Sequence, residues 1–422
     1  MQTNLAGWIK DTPQGQEAEA ILRMCVHCGF CNATCPTYQL LGDELDGPRG
    51  RIYLMKQMLE GHAVTVSTQL HLDRCLTCRA CETTCPSGVK YGRLVDIGRE
   101  LVDEKVGRAF IPRLKRDVLH WGLTRPKLFA FLLGLGRAVR GIMPERVRRS
   151  IPPRVDPGTQ PAYDPARHTR RMLLLRGCVQ PALLPRIDTA AARVLDRLGV
   201  ALITAPESGC CGAVSHHLDR HDAAVAMMKR NIDAWWPYIE QGRQDVESVE
   251  AIVVTASGCG VMVKDYGHML RLDPAYAEKA VRVSALAKDV SEVIVAEWEK
   301  VKMLLPATGS AATSPLAFHS PCSLQHGLKL KGGVERILRD LGFALAPVAD
   351  AHLCCGSAGT YSILQPELSQ RLKADKLAAL QAGRPSVIAS ANVGCITHLQ
   401  SGTGIPVRHW IELLDDRLAA AR

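Results

Sequence analysis

The sequence has no apolar run of the 18 or so residues that a membrane-spanning helix needs. Its longest candidate, Leu128 to Gly136, is about half that length. No signal-peptide pattern opens the chain, because Met1 to Gln16 is polar and has no apolar centre. A flavin-binding glycine fingerprint is also missing: no G-x-G-x-x-G opens a helix after a strand. Gly402-Thr-Gly404 supplies only the first two glycines, and it precedes a strand-like run. No Ser/His/Asp set or pair of carboxylates stands out as catalytic, so no catalytic residue is assigned. A cytoplasmic protein is therefore expected, one that is at most peripheral on the cytoplasmic face of the inner membrane. Substrate oxidation by this chain alone is not expected.

What the chain has in quantity is cysteine, sixteen in 422 residues. A disulfide framework belongs to small secreted domains, whereas thiolates kept reduced for metal binding fit a cytosolic setting. Eight of them form two matching runs, Cys25-x-x-Cys28-x-x-Cys31-x-x-x-Cys35-Pro36 and Cys75-x-x-Cys78-x-x-Cys81-x-x-x-Cys85-Pro86. Three cysteines at i, i+3 and i+6 on a tight loop turn their sulfurs toward one point and suit three corners of a [4Fe–4S] cubane. The fourth begins the next segment, points away, and ligates the other run's cluster. The expected pairing is crossed: Cys25, Cys28, Cys31 and Cys85 for one cluster, Cys35, Cys75, Cys78 and Cys81 for the other. Proline after the fourth cysteine removes an N–H and stops the loop from continuing as a helix. Zinc is the alternative, but zinc sites rarely carry a third thiolate at i+6 and a fourth at i+10, and here the pattern occurs twice.

Around these runs the periodicity is helical. Residues 17–24, 49–60, 69–74 and 94–106 read as helices, the second with Ile52, Met55 and Leu59 on one face. An all-helical domain over residues 1–110 follows. Residues 111–170 form a proline-punctuated basic segment with room for two helices, roughly 112–121 and 126–142, and a linker over 158–170. Residues 105–171 carry sixteen Lys/Arg against four Asp/Glu, more than the whole chain's net charge of +10. No nucleic-acid reader module accompanies them, so nucleic acid is not expected as a partner, and acidic proteins or anionic lipid fit better. The apolar stretch Leu128, Phe129, Phe131, Leu132, Leu133 and Leu135, followed by Arg137 and Arg140, suits a membrane surface. Packing between domains is the favoured reading, because a long cationic face is lacking.

The remainder is an internal repeat. In the first half, expected over 171–305, a short apolar run ends at Cys178, Cys210-Cys211-Gly212 follows, and Gly258-Cys259 closes. In the second, over 306–422, the counterparts are Cys322, Cys354-Cys355-Gly356 and Gly394-Cys395. Strand, helix, strand, helix, strand in each half argues for parallel α/β domains with the cysteines on loops at the strand ends. These eight cysteines are a further candidate metal or acceptor site. Four thiolates per half suit a metal or a cubane, and they equally suit structural cysteines around a ligand pocket.

Residues 20–105 or so resemble the alpha-helical ferredoxin domain of the iron–sulfur subunits of succinate and anaerobic glycerol-phosphate dehydrogenases. The repeat resembles the cysteine-rich CCG domain of heterodisulfide reductase and its relatives. In that family a closing C-x-x-C lets five thiolates hold a non-cubane cluster. Here Ala256 and Asn392 replace the first cysteine of that pair, which weighs against a thiol–disulfide reductase. The whole arrangement resembles the iron–sulfur subunits of bacterial glycolate oxidases. The carrying stretches are Cys25-Val-His-Cys-Gly-Phe-Cys31, Pro36-Thr-Tyr-Gln-Leu-Leu-Gly42, Asp46-Gly-Pro-Arg-Gly-Arg-Ile52, Asn231-Ile-Asp-Ala-Trp-Trp-Pro237, Cys354-Cys-Gly-Ser-Ala-Gly-Thr-Tyr361 and Arg408-His-Trp-Ile-Glu412. The resemblance implies separate FAD subunits that oxidise glycolate to glyoxylate, with this chain passing the electrons to an acceptor, a quinone of the respiratory membrane. Service to another 2-hydroxy acid or glycerol-phosphate dehydrogenase is the neighbouring alternative. No flavin is expected on this chain, since two-electron oxidation needs a cofactor that it does not visibly bind.

His216, His217, His319, His326 and His352 lie beside the repeat's cysteines as candidate ligands or proton donors, and ordinary loop histidines would look the same. Arg49 and Arg51 are candidates to screen a cluster's negative charge, a role that solvated surface arginines would mimic.

Overall fold

A computed structural model describes residues 1–240, 248–305 and 315–420. The expected boundary after residue 305 falls at the edge of residues 306–314, which lie outside the described residues.

The chain begins with helices. Pro13–Met24, Pro48–Leu59, Val66–Asp73 and Tyr91–Val106 pack around Leu22, Met55, Leu59, Leu72 and Leu94. Their starts follow local chemistry. Proline occupies the first turn of two of them, where its missing N–H costs nothing. Thr65 closes a capping box with Thr68 on a third. The cysteine loops hang between these helices.

Phe110–Leu123 and Pro126–Ala138 then form a helical hairpin. Here the favoured sequence reading fails. No residue of Pro126–Ala138 is buried, so this helix is not sandwiched between domains. The segment is held by charge at its start, through Arg108 just before the first helix and Arg116 within it. Arg108 and Arg116 both reach Asp73 of the helical domain (2.7 and 3.1 Å) and Asp219 of the repeat (3.2 and 3.0 Å). Phe131, Leu132 and Leu135 of the second helix are left exposed, while Leu128, Phe129 and Leu133 are half-buried.

The repeat consists of two four-stranded, all-parallel sheets. The first has the order β2-β1-β3-β4, with β1 Arg170–Leu174, β2 Val200–Ile203, β3 Ile252–Val254 and β4 Ala287–Asp289. The second repeats it as β6-β5-β7-β8, with β5 Pro315–His319, β6 Ala344–Leu345, β7 Val387–Ser390 and β8 Val407–His409. Each half thus has one more strand than the three the pattern suggests. The central strands are buried on both faces, which explains their near-continuous apolar runs.

The halves share one core. Ile187 and Val194 of the Arg186–Asp196 helix pack in the same cluster as Trp410, Leu414 and Leu418 of the Trp410–Ala419 helix. Arg193 donates to Asp415 at 2.9 Å across this seam. His409, fully buried, accepts from the Ile411 N–H with Nδ1 and donates from Nε2 to the Thr255 carbonyl in the first half at 3.0 Å. Burial holds this imidazole neutral, its pKa pushed down to about 3.

Candidate metal centres

Both N-terminal cysteine loops are bent by the same device. The second residue after the first cysteine and the residue after the second cysteine have positive φ: His27 and Gly29 in one loop, Thr77 and Arg79 in the other. Non-glycine residues rarely adopt this conformation, and three of the four here are non-glycine. At Gly29 a side chain would also meet the Arg49 guanidinium, 2.7 Å from where its Cβ would stand.

The curled loops enclose two cavities. Cys25, Cys28 and Cys31 line the first together with Cys85 from the other run. Cys75, Cys78 and Cys81 line the second together with Cys35. The cavities lie back to back, for Pro48, Cys81 and Tyr91 form part of both walls. Ile52 and Val89 give the first cavity an apolar wall and Leu76 the second, with arginines also reaching each: Arg49 at the first, Arg51 and Arg79 at the second. The sulfurs crowd one another. Burial, then the neighbouring Cys25, pushes the Cys31 thiol up to about 11. Burial, then Cys78 and Cys75, pushes Cys81 well above its ordinary value. Four such groups become thiolates together only around a cation, so the donor set fits an iron–sulfur cluster.

The surroundings of the second cavity escaped sequence reasoning. Arg51 is buried, not solvated, and its guanidinium lies 4.0 Å from the Cys35 sulfur, 3.1 Å from Thr37 and 3.4 Å from Asp46. Asp46 is fully buried and also meets His71 (3.1 Å) and Arg74 (2.8 Å). The stretch Asp46-Gly-Pro-Arg-Gly-Arg held the signal, but nothing in it shows that Asp46 and Arg51 face inward. Arg49, by contrast, is partly exposed, pairs with Glu44 at 2.6 Å and lines the first cavity. Tyr91 approaches the Cys75 sulfur at 3.7 Å.

In the repeat each half gathers its four cysteines. Cys178 contacts Cys210, and Cys211 contacts both Cys210 and Cys259. In the second half the Cys322 and Cys354 sulfurs are 3.9 Å apart, and Cys355 contacts Cys354 and Cys395. Asn392, in the place of the missing cysteine, points its amide at the Cys395 sulfur, 3.6 Å away. The second half also adjoins the second cavity: Cys322, Cys354, Leu76 and Cys78 share one apolar cluster.

The candidate histidines separate. His326 is spent on structure, one ring nitrogen meeting Thr83 at 3.0 Å and the other the His352 carbonyl at 2.9 Å. His216 meets Asp96 of the helical domain at 3.2 Å and His221 at 3.1 Å. His217 lines a cleft with Cys75 and Tyr361. The side chain of His319 lies near Cys355 and Cys395.

Comparison with known proteins agrees with this layout. Residues 21–89 match the family described as 4Fe-4S dicluster domain, and residues 172–264 and 316–400 each match the cysteine-rich domain. The glycolate oxidase iron-sulfur subunit of Escherichia coli (strain K12) is 52% identical over 419 residues, covering 99% of both chains. The probable glycolate oxidase iron-sulfur subunit of Bacillus subtilis (strain 168) is 29% identical, covering 91% of this chain and 89% of its own. Lactate utilization protein A of Exiguobacterium is 24% identical over 58% of this chain and 96% of its own. Two adjoining four-cysteine cavities, a duplicated cysteine-rich α/β unit and near-complete coverage at 52% identity place the chain in the family of glycolate oxidase iron–sulfur subunits.

Proposed function

We propose that this chain takes electrons from a flavin-bearing partner subunit that oxidises glycolate and delivers them to an acceptor, a quinone. The carrying observation is the back-to-back placement of the two four-cysteine cavities between an exposed edge and the repeat. Clusters bound there supply one-electron transfer. Cys25, Cys28, Cys31 and Cys85 are the proposed ligands of one, and Cys35, Cys75, Cys78 and Cys81 those of the other. Pro48 and Tyr91 stand in the wall shared by the two cavities. Arg51 sets a buried positive charge beside Cys35, where cluster reduction adds negative charge. The partner side is the first cavity's mouth. There Cys28 is exposed, and Val26 (68%) and Phe30 (62%) offer apolar surface for docking. The acceptor side is the second cysteine-rich half, whose Cys322 and Cys354 abut the second cavity. The domain limits proposed are 1–110, 111–170, 171–305 and 306–422.

Attachment to the cytoplasmic face of the membrane is proposed through the helical hairpin. Phe110, Ile111, Val118, Phe131, Leu135 and Ile142 are exposed along it, flanked by exposed Arg113, Lys115, Arg125 and Lys127. Apolar surface bordered by cations suits an anionic lipid interface. No described helix is long and apolar enough to cross a membrane.

The experiment is anaerobic purification of the complex with iron and flavin counted, followed by glycolate addition. Glycolate should bleach the iron–sulfur absorption only when the flavin subunit is present. Turnover by this chain alone would overturn the reading.

A further inference from the structure

His319 ends β5 with its side chain enclosed, at 2% exposure, and its Nε2 has no hydrogen-bond partner among the described residues. Buried polar atoms are nearly always paired, so an unpaired one calls for an explanation. A ring nitrogen of His319 and the sulfurs of Cys355 and Cys395 all lie within 4.8 Å of one another. Three separate elements bring them together. The Ser390 hydroxyl donates to the His319 carbonyl at 2.9 Å and fixes the end of β5 against β7. Cys355 follows the Cys354 corner, and Cys395 sits in the first turn of the Val393–Gln400 helix.

The size of the cluster of donors decides what it suits. Metal–sulfur bonds of about 2.3 Å on a tetrahedron separate two sulfurs by about 3.8 Å. A cubane interposes four irons and holds its thiolates further apart. Among the described residues, no three of the eight N-terminal cysteines converge as closely as His319, Cys355 and Cys395. Two thiolates and an imidazole are soft and borderline ligands, which select zinc over calcium or magnesium.

We propose that the second half holds a single zinc-class ion through His319, Cys355 and Cys395, the three donors that converge there. The first half has Leu175 where the second has His319, three residues before the leading cysteine, and lacks the site. The ion carries no electrons. It pins the Cys354–Cys355 corner that abuts Cys78 and Leu76 of the second cavity. This inference is independent of the electron-transfer reading, since zinc content and glycolate-driven bleaching are measured separately.

The test uses the full-length chain in its complex, purified without oxygen and dialysed against metal-free buffer. Zinc and iron are counted by mass spectrometry. About one zinc per chain is expected beside the iron of two four-iron clusters. His319→Ala and Cys395→Ser should each lower zinc at least tenfold with iron unchanged, and His319→Cys, which restores a donor, should retain it. Cobalt(II) in place of zinc should give tetrahedral visible bands that the His319→Ala chain lacks. If the variants fold poorly, X-ray absorption at the zinc edge of the unaltered chain decides: sulfur neighbours with one nitrogen support the site. No zinc in the unaltered chain, zinc indifferent to His319→Ala, or extra iron lost with that substitution would each overturn the proposal.

Discussion

The Tyr361 hydroxyl donates to the Arg74 carbonyl at 3.2 Å, although 287 positions separate them. Arg74 immediately precedes Cys75, so the second cysteine-rich half reaches across and holds the start of the second cysteine loop. Burial keeps this phenol protonated and therefore a donor, raising its pKa well above the ordinary value.

Replacing Tyr361 with Phe removes that one bond and keeps the ring. A loss of about 0.5–1.5 kcal/mol is expected in denaturant unfolding. Electron paramagnetic resonance should show the change confined to the centre at Cys75. Equal disturbance of both centres would contradict the local tether.

Cysteine substitutions test the cluster assignment. Cys85→Ser should remove the same signal as Cys25→Ser, despite the distance in sequence, because both residues line the first cavity. Cys35→Ser should remove the other. If Cys85→Ser and Cys75→Ser were spectroscopically alike, the crossed assignment would be wrong.

Arg51→Met leaves Asp46 buried with His71 and Arg74 as its remaining partners. Breaking a buried pair costs about 3–5 kcal/mol, and the two surviving contacts place the expected loss at the lower end of that range. Without the guanidinium 4.0 Å from Cys35, the second centre's reduction potential should become more negative. Redox titration of both centres checks this, with the first as internal reference.

The His216–Asp96 contact joins the repeat to the helical domain at 3.2 Å. Burial disfavours the charged form of each, but each partner outweighs it, so His216 is raised and Asp96 is lowered. A raised histidine stabilises fully below its unfolded value and loses that contribution as pH climbs through its folded value. A lowered aspartate stabilises above its unfolded value of about 3.9 and loses its share below. The stability difference between the unaltered chain and His216→Gln should therefore be largest from about pH 5 to 6 and shrink on either side. Unfolding midpoints across that range would show it, and a flat difference would count against the pair.

Phe131 and Leu135 are exposed on the hairpin at 63% and 52%. Burying such side chains is worth about 1.5–3 kcal/mol each, so Phe131→Glu with Leu135→Glu should weaken sedimentation with anionic vesicles by well over tenfold. Neutral vesicles should bind less in every case, and binding unaffected by the double change would remove the hairpin from the interface.

Legibility in the sequence followed locality. The spacing of Cys25, Cys28 and Cys31 reports a single loop, so the two runs could be read directly. The helix expected over 94–106 likewise shows in its own periodicity, and it begins one turn earlier, at Tyr91. The fourth strands, Ala287–Asp289 and Val407–His409, carry Lys288 and Arg408 at their centres, so unlike the equally short Ile252–Val254 they form no apolar run. The convergence of His319 with Cys355 and Cys395 depends on how three strand ends meet, and sequence spacing says nothing of it. The hairpin was misread for a related reason. Its apolar face implies burial, but the segment is anchored by Arg108 and Arg116 to Asp219, ion pairs between residues about 100 positions apart that no local pattern reports.

The core shared by the two halves has a consequence for the order of synthesis. Everything in the N-terminal helical core, from Leu5 to Val102, is available once residue 106 has emerged. The Arg186–Asp196 helix, by contrast, packs on a helix made roughly 300 residues after that point, which at about 5–20 residues per second is a delay of some 15–60 s. Cys211 packs in a separate cluster of the first half that is complete only when Ala287 has been made, so it too waits, while the N-terminal cysteine loops already have their core. Iron delivered to the nascent chain therefore meets formed N-terminal sites first, and the repeat closes over its own cysteines last.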